Sequence, residues 1–138
     1  MFRNKFILLV SLFFLAFTAN AQDLTSPDGN LQLKFSLLEG GIPEYQLSYK
    51  GKAVIEPSRL GIELNNMPSF MEGFEVTEVE ENSVDTTWEP VWGEEKEIRN
   101  NYKELRLTLQ QPEHDRYILL TFRLFNDGLG FRYEFPEQ

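Results

Sequence analysis

The sequence predicts an all-β protein in which antiparallel strands pack as a β-sandwich. Beyond the first 21 residues, apolar and polar residues alternate over most of the chain, which is the two-residue period of a strand with one buried face. Clusters of Gly, Pro, Asn and Asp separate these alternating runs. No segment beyond residue 21 shows a 3.6-residue apolar stripe, so helices are not expected there.

Residues 1–21 are predicted to be a signal peptide. Arg3 and Lys5 precede an apolar run at 6–17, and Ala19-Asn20-Ala21 is a small-x-small cleavage signal. A transmembrane anchor is the alternative, but the run is too short for a hydrocarbon core about 30 Å thick. We therefore expect export to the periplasm, or secretion as the lesser option, with no membrane attachment after cleavage. The chain has no Cys, so neither a lipid anchor nor a disulfide is expected.

The first half of the remaining chain predicts a hairpin and further strands. Alternation at 31–37 and 45–49 flanks a Glu39-Gly40-Gly41 turn, and Lys50-Gly51-Lys52 turns the chain into a strand at 53–55. Pro57 and Ser58 are predicted to end that strand, and residues 60–64 resume the pattern. Residues 65–73 predict a loop, and residues 74–80 a strand with an acidic outer face.

The second half predicts three longer strands. Residues 105–109 alternate, residues 111–115 form a turn, and the strand at 116–125 is apolar on both faces, which is typical of a central strand. Asn126-Asp127-Gly128 predicts a turn with positive φ, and Gly130 a bulge or a close backbone approach. Residues 131–135 then return as a strand with Arg132 and Glu134 outside.

The charge balance excludes some classes of partner. The 22 acidic residues outnumber the 13 basic ones, which gives a net charge of −9. Binding to phosphate polyanions depends on clustered Lys and Arg. Nucleic acid and anionic membrane surfaces are therefore not expected as partners.

The sequence has few residues suited to a metal site or a nucleophilic site. His114 is the only His and lies between Glu113 and Asp115, where a solvated turn is favoured over a cation site. Without a second His or a Cys, the chain cannot assemble a Ser-His or Cys-His constellation. Gly128-x-Gly130 lacks the third glycine of a dinucleotide-binding loop, so phosphate binding is set aside.

The stretch WEPVWGEEKEIRNNY, residues 88–102, concentrates two Trp with several carboxylates. A sugar site uses aromatic rings against the apolar faces of pyranoses and carboxylates for hydroxyl groups and glycosidic chemistry. The alternative is a strand entering a sheet, with an acidic outer face and a Trp packed in the core. Residue types alone favour this alternative, and Trp92, Glu94 and Glu95 are the candidates for a contact with sugar.

Four stretches together resemble the N-terminal domain of glycoside hydrolase family 97. They are LTSPDGNLQLKFSL, YQLSYKGKAVIEPSRLGIEL, WEPVWGEEKEIRNNYKELRLTLQQ and DRYILLTFRLFNDGLGFRYEFPEQ. The resemblance implies an N-terminal β-supersandwich of the galactose-mutarotase-like type, packed on a catalytic (β/α)8 barrel. It implies that residues 22–138 are an incomplete N-terminal domain, cut before that barrel.

The resemblance also implies a function for the parent protein. The family contains exo-acting α-glycosidases that hydrolyse oligosaccharides, and the quoted stretches look closer to its α-glucosidases than to its α-galactosidases. Calcium assists catalysis in the full-length parent, and its ligands and the catalytic carboxylates lie outside this chain, so no catalytic or metal-binding residue is assigned here. The chain is then expected to act as a scaffold for the barrel of the same polypeptide, with Trp92, Glu94 and Glu95 contacting sugar or the barrel.

A second hypothesis is a free-standing carbohydrate-binding or adhesive β-sandwich. It requires a closed fold within residues 22–138 and an exposed aromatic platform. Trp88 and Trp92 are the residues on which such a platform would depend.

Overall fold

Eight β-strands and one 3-10 turn make up the regular structure of residues 21–137, which are the residues that this computed structural model describes. The predicted signal peptide therefore lies outside the described residues, apart from Ala21. In chain order the elements are β1 (Gln22–Thr25), β2 (Leu31–Leu38), β3 (Ile42–Tyr49), β4 (Lys52–Arg59), β5 (Glu75–Trp88), β6 (Ile98–Gln111), the 3-10 turn (Pro112–His114), β7 (Arg116–Leu124) and β8 (Leu129–Glu134).

The strands form two four-stranded antiparallel sheets. The first has the order β1-β2-β3-β4 and the second the order β5-β6-β7-β8, so consecutive strands pair within each sheet and β4 does not pair with β5. Aromatic rings pack between the two sheets. The ring centroid of Phe35 in the first sheet lies 6.1 Å from that of Phe122 in the second, and the centroid of Tyr45 lies 5.7 Å from that of Phe131. The all-β sandwich is therefore confirmed, and β7 is an inner strand of its sheet, as its two apolar faces predicted.

One hydrophobic core fills the space between the sheets. The alternating residues of the central strands supply it, because successive side chains of a strand point to opposite faces. The first sheet contributes Leu24, Leu31, Leu33, Phe35 and Leu47, and the second contributes Leu105, Leu107, Leu109, Ile118, Leu120, Phe122 and Leu124. These side chains are 0–6% exposed, so their burial is the main source of stability in the sandwich.

The connection between β4 and β5 closes one end of this core. The Phe70 ring stacks on the Phe74 ring, with their centroids 6.4 Å apart, and makes an edge contact with the Phe135 ring, with a centroid distance of 5.4 Å. The guanidinium carbon of Arg116 lies 3.9 Å from the Phe70 ring centroid. Arg116 also donates to the carbonyl oxygens of Pro68 (2.6 Å) and Ser69 (3.1 Å). The predicted loop at 65–73 is thus confirmed, and it is held against the sandwich.

Gly41 allows the β2–β3 turn to meet the start of β5. Its φ is +69°, and a side chain there would clash with the backbone of Phe74. Gly40 and Gly41 instead accept hydrogen bonds through their carbonyl oxygens from the amides of Gly73 (2.8 Å) and Phe74 (3.0 Å). The Lys50-Gly51 turn between β3 and β4 also forms as predicted, with φ of 47° and 77°.

Two predictions for the first half of the chain are wrong. Pro57 does not end β4, because β4 is an edge strand where a missing N–H is tolerated, and a register shift between Tyr45 and Leu47 accommodates the residues around it. Residues 60–64 do not form a strand, since only Ile62 makes an isolated bridge, to Phe70. β1 was not predicted at all, because it is only four residues long.

The turn predicted at residues 126–128 is confirmed, but the backbone roles predicted for Gly128 and Gly130 are wrong. Asn126, Asp127 and Gly128 connect β7 to β8 without a positive φ, and the loop is closed by a hydrogen bond from the Phe125 amide to the Gly128 carbonyl (2.8 Å). Gly130 sits opposite Arg123 in a regular register with no bulge. No atom lies within 4 Å of the position that a side chain of Gly130 would occupy, so no close approach explains it.

Candidate functional site

The paired strands β5 and β6 extend beyond the rest of the second sheet. Their pairing runs from Glu75 opposite Gln110 to Trp88 opposite Ile98, whereas β7 pairs with β6 only from Lys103 onward. Residues 84–88 and 98–102 therefore form a two-stranded ribbon, and residues 89–97 are its tip loop. The other described residues are the sandwich body. The sequence predicted only parts of these strands, because the ribbon is solvated on both faces and shows no alternation.

Polar and aromatic contacts hold the ribbon. Arg99 donates two hydrogen bonds to Asp85 across the strands, from Nε (2.8 Å) and from Nη2 (2.7 Å). The guanidinium holds the pKa of the Asp85 carboxyl below its usual value of 3.8. At the base, the Tyr102 ring packs 5.2 Å from Phe125. Both partners of the ion pair are more than half exposed, so the pair fixes strand register more than it stabilises the fold.

The tip loop displays large apolar side chains in solvent. Trp92 is 88% exposed, Val91 is fully exposed, and Trp88, the residue before the loop, is 53% exposed. The alternative of a Trp packed in the core is therefore wrong. Large apolar side chains that are exposed to this degree are candidates for contact with a ligand or a partner.

The structure brings the three predicted contact residues into this one loop. Trp92, Glu94 and Glu95 are all exposed, and within residues 21–137 neither glutamate makes a hydrogen bond or an ion pair. Gly93, which lies between Trp92 and Glu94, has a φ of 149°, a conformation that L side chains rarely adopt. The loop thus presents an indole and two free carboxylates together, and this chemistry suits hydroxyl groups or cationic side chains of a partner.

A second charged cluster lies at the base of the ribbon and was missed at the sequence level. Glu104 is 6% exposed and accepts a hydrogen bond from Nε of Arg123 at 2.6 Å, which raises the pKa of the guanidinium above its usual value. Arg123 also lies over the Tyr102 ring at 4.7 Å. Alternation places Tyr102 and Glu104 on the outer face of β6, so burial of these side chains was not expected. The long side chains of the neighbouring strand cover them.

Most charged groups of this cluster are paired with one another, although Arg106 Nε is buried without a hydrogen-bond partner among the described residues. Arg106 lies 3.5 Å from Glu80 and 3.9 Å from Glu104, and Arg132 bonds Glu134 at 2.9 Å. The outer face of the second sheet therefore carries ion pairs both along and across its strands. The two pairs that cross strands, Arg106–Glu80 and Arg123–Glu104, favour this register.

The described residues contain no arrangement suited to metal binding. Among them, no group of three or more His, Asp or Glu side chains could hold a metal ion. His114 and Glu113 lie in the 3-10 turn, and Asp115 ends it with φ of 48°, so the predicted turn is confirmed. The part of the chain that the structure describes also has no helix long and apolar enough to cross a membrane.

Comparison with known proteins gives a consistent family. The family model described as Glycosyl-hydrolase 97 N-terminal matches residues 24–138. The chain is 29% identical over 129 residues to a curated protein of Bacteroides thetaiotaomicron named retaining alpha-galactosidase, which covers 93% of this chain and 18% of that protein. It therefore spans about a fifth of the length of this curated relative.

Solved structures agree with this result. A glycoside hydrolase family 97 enzyme from Pseudoalteromonas sp. strain K8, determined in complex with panose and with acarbose, matches with a TM-score of 0.79 and 34% identity over 85% of this chain and 18% of that chain. A beta-arabinopyranosidase matches with a TM-score of 0.75 and 26% identity over the same shares. Each match spans 18% of a much longer chain.

Proposed function

The chain belongs to the N-terminal domain family of glycoside hydrolase 97, and from this premise we propose that it is the non-catalytic N-terminal domain of an exo-acting α-glycosidase that hydrolyses oligosaccharides. The observation that carries the proposal is the contrast between the paired charges on the outer face of the second sheet and a tip loop in which Trp92, Glu94 and Glu95 make no hydrogen bond, ion pair or ring contact with another described residue. The body is a scaffold, and the tip loop chiefly contacts the catalytic barrel of the same polypeptide, whereas contact of the loop with sugar alone belongs to the second candidate below.

The preferred substrate is an α-glucoside. Panose, a glucose trisaccharide, occupies the relative that is 34% identical, whereas the relative named as an α-galactosidase is 29% identical. This difference in identity supports α-glucosidase over α-galactosidase activity for the parent protein. We assign hydrolysis to the barrel, as the resemblance to glycoside hydrolase family 97 implies.

The same premise extends to location and cofactor. We place the protein in the periplasm, on the strength of the predicted signal peptide, with secretion as the lesser option. Calcium would serve the full-length parent, and the acidic groups described here do not fit a calcium site because none of them cluster in sets of three. The barrel would therefore supply the calcium ligands.

A second candidate is a free-standing carbohydrate-binding module. The exposed Trp88 and Trp92 favour it, because an exposed indole can stack on a pyranose ring. The two hypotheses differ in what covers the tip loop, which is sugar alone for a module and chiefly the barrel for a scaffold.

Tryptophan fluorescence separates the two hypotheses. Trp88 and Trp92 are the only two Trp residues of the chain, so the emission reports on the ribbon end alone. We expect no change on titration with panose, and a blue shift when a family 97 α-glucosidase barrel is added in trans. The variant Trp92→Ala should lose most of that shift, and Glu94→Gln with Glu95→Gln should weaken the association.

Two results would contradict the proposal. A panose-induced change that disappears in Trp88→Ala or Trp92→Ala would favour the free-standing module. Release of nitrophenol from p-nitrophenyl α-glucoside by the chain alone would show that the chain carries its own catalytic groups.

A further inference from the structure

A concave groove of about 400 Å³ crosses the outer face of the first sheet, away from the shared core and from the ribbon. Six side chains with hydrogen-bonding groups line it, namely Asp23 and Thr25 of β1, Gln32 and Lys34 of β2, and Gln46 and Ser48 of β3. Its volume lies within the range of roughly 300–1,000 Å³ that is usual for small-molecule sites.

The register of the strands arranges these side chains in two rows. Lys34 lies between Asp23 and Gln46, and Gln32 lies between Thr25 and Ser48. Each row crosses three strands, and all six positions share one face because side chains two residues apart on a strand point the same way. The rows therefore present polar groups at a spacing of about 5 Å between strands.

The fourth strand leaves the groove open on one side. Gly51 and Ala53, which also line it, have little or no side chain to fill the space beside Ser48. The register of β3 with β4 shifts on either side of Leu47, and such an irregularity bends the strand. Small residues and a bent edge strand together account for the concave shape.

The six polar side chains of the groove are unpaired in the part of the chain that the structure describes. Among residues 21–137, none of the six is hydrogen-bonded or ion-paired to another described residue, and this includes Asp23 and Lys34, which lie opposite one another. The outer face of the second sheet differs, because its Glu104 and Arg123 are bonded at 2.6 Å. The polar groups of the groove are thus free to bind a ligand.

We propose that this groove is a binding site for a neutral oligosaccharide, separate from the tip loop. One carboxylate and one ammonium group cancel, so the groove carries no net charge to attract an ion, in a chain of net charge −9. Gln32 and Gln46 each offer an amide donor and acceptor, and Thr25 and Ser48 each offer a hydroxyl group. Paired donors and acceptors match the neighbouring hydroxyl groups of a sugar ring. No aromatic side chain lines the groove, so binding is weak, with a dissociation constant on the order of millimolar.

Amide NMR of the full chain, titrated with panose as the probe, tests this site. We expect saturable shift changes at the amides of Gln32, Gln46 and Ser48 and none at the tip loop. Because each lost hydrogen bond weakens binding, the variant Gln32→Ala with Gln46→Ala should raise the dissociation constant roughly tenfold. Trp fluorescence should stay unchanged in the same titration, since neither Trp lines the groove.

The matched control is Gln22→Ala. Gln22 is a glutamine of β1 that does not line the groove, so its loss should leave panose binding unchanged. The spectrum of each variant also reports whether the fold is intact. Absence of any saturable response at millimolar panose, shifts confined to residues 88–97, or equal weakening in the control would each overturn the site. A stronger response to tri-galacturonate than to panose would overturn the assignment of a neutral ligand.

Discussion

The sandwich body and the ribbon use the same two strands in opposite surroundings. In the body, Leu105 and Leu107 of β6 are fully buried under the first sheet, whereas Ile98 at the ribbon end of the same strand is 37% exposed. The body gains its stability from burial, and the ribbon has cross-strand pairing and one exposed ion pair. We therefore expect the ribbon to contribute less to the stability of the fold than the body does.

The largest expected effect is the loss of a ring from the body. Phe122 is fully buried and lies 6.0 Å from Tyr45 and 5.8 Å from Phe131, so Phe122→Ala removes apolar contacts and leaves a cavity. We expect the free energy of unfolding to fall by about 3–5 kcal/mol. Urea unfolding followed by far-ultraviolet circular dichroism measures it. Phe135→Ala, in which the lost ring is 54% exposed, is the control and should cost less than half as much; equal losses would mean that burial does not distinguish the positions.

A smaller effect is expected where the body meets the ribbon. Glu104→Gln removes the buried carboxylate that Arg123 bonds, but 42% of the Arg123 side chain is exposed, so water compensates in part. We expect a loss of about 1–2 kcal/mol, below the full cost of breaking a buried pair. A double-mutant cycle with Arg123→Gln isolates the coupling between the two groups. Additive losses would show that the pair contributes nothing beyond its separate side chains.

Within the ribbon, the effect of the Asp85–Arg99 pair should be local and dependent on pH. The folded-state pKa of Asp85 is depressed, so the contribution of the pair is present above the unfolded value of 3.8 and is lost as pH falls through the lower folded value. We expect Asp85→Asn to reduce hydrogen-exchange protection of ribbon amides near neutral pH and to match the wild type well below pH 3.8. Asp127→Asn, outside the ribbon, is the control. A difference that persists at acidic pH would argue against the pair.

The sequence predicted the central strands of the body well and the ribbon poorly, for a physical reason. Leu105, Leu107 and Leu109 alternate because one face of β6 meets the core, and this pattern is readable without a structure. Strand residues such as Asn100 and Asn101 pair only with β5 and carry no such pattern, so the first part of β6 was not predicted. Alternation in the sequence indicates strands that pack on the core, and it does not indicate strands whose two faces are both solvated.

The candidate site was likewise predicted only in part. The composition of residues 88–97 indicated an aromatic and acidic cluster, but residue types favoured a buried Trp, and only the two-stranded projection of the ribbon shows why Trp88 and Trp92 are exposed. Glu104 was missed because alternation places it on the outer face, where neighbouring side chains bury it. The groove of the first sheet could not be predicted either, since it depends on strand register and on the bend of β4.

Replacing the tip loop tests directly whether the body stabilises the fold while the ribbon contacts a partner. Trp88 and Ile98 are directly paired, so a two-residue Asn-Gly turn can take the place of residues 89–97 and close the hairpin. We expect the variant with this turn to have a free energy of unfolding within about 0.5 kcal/mol of the wild type and to lose its association with the barrel. A loss of stability as large as that of Phe122→Ala, or an association with the barrel that survives the replacement, would contradict the separation of a stabilising body from a contacting ribbon.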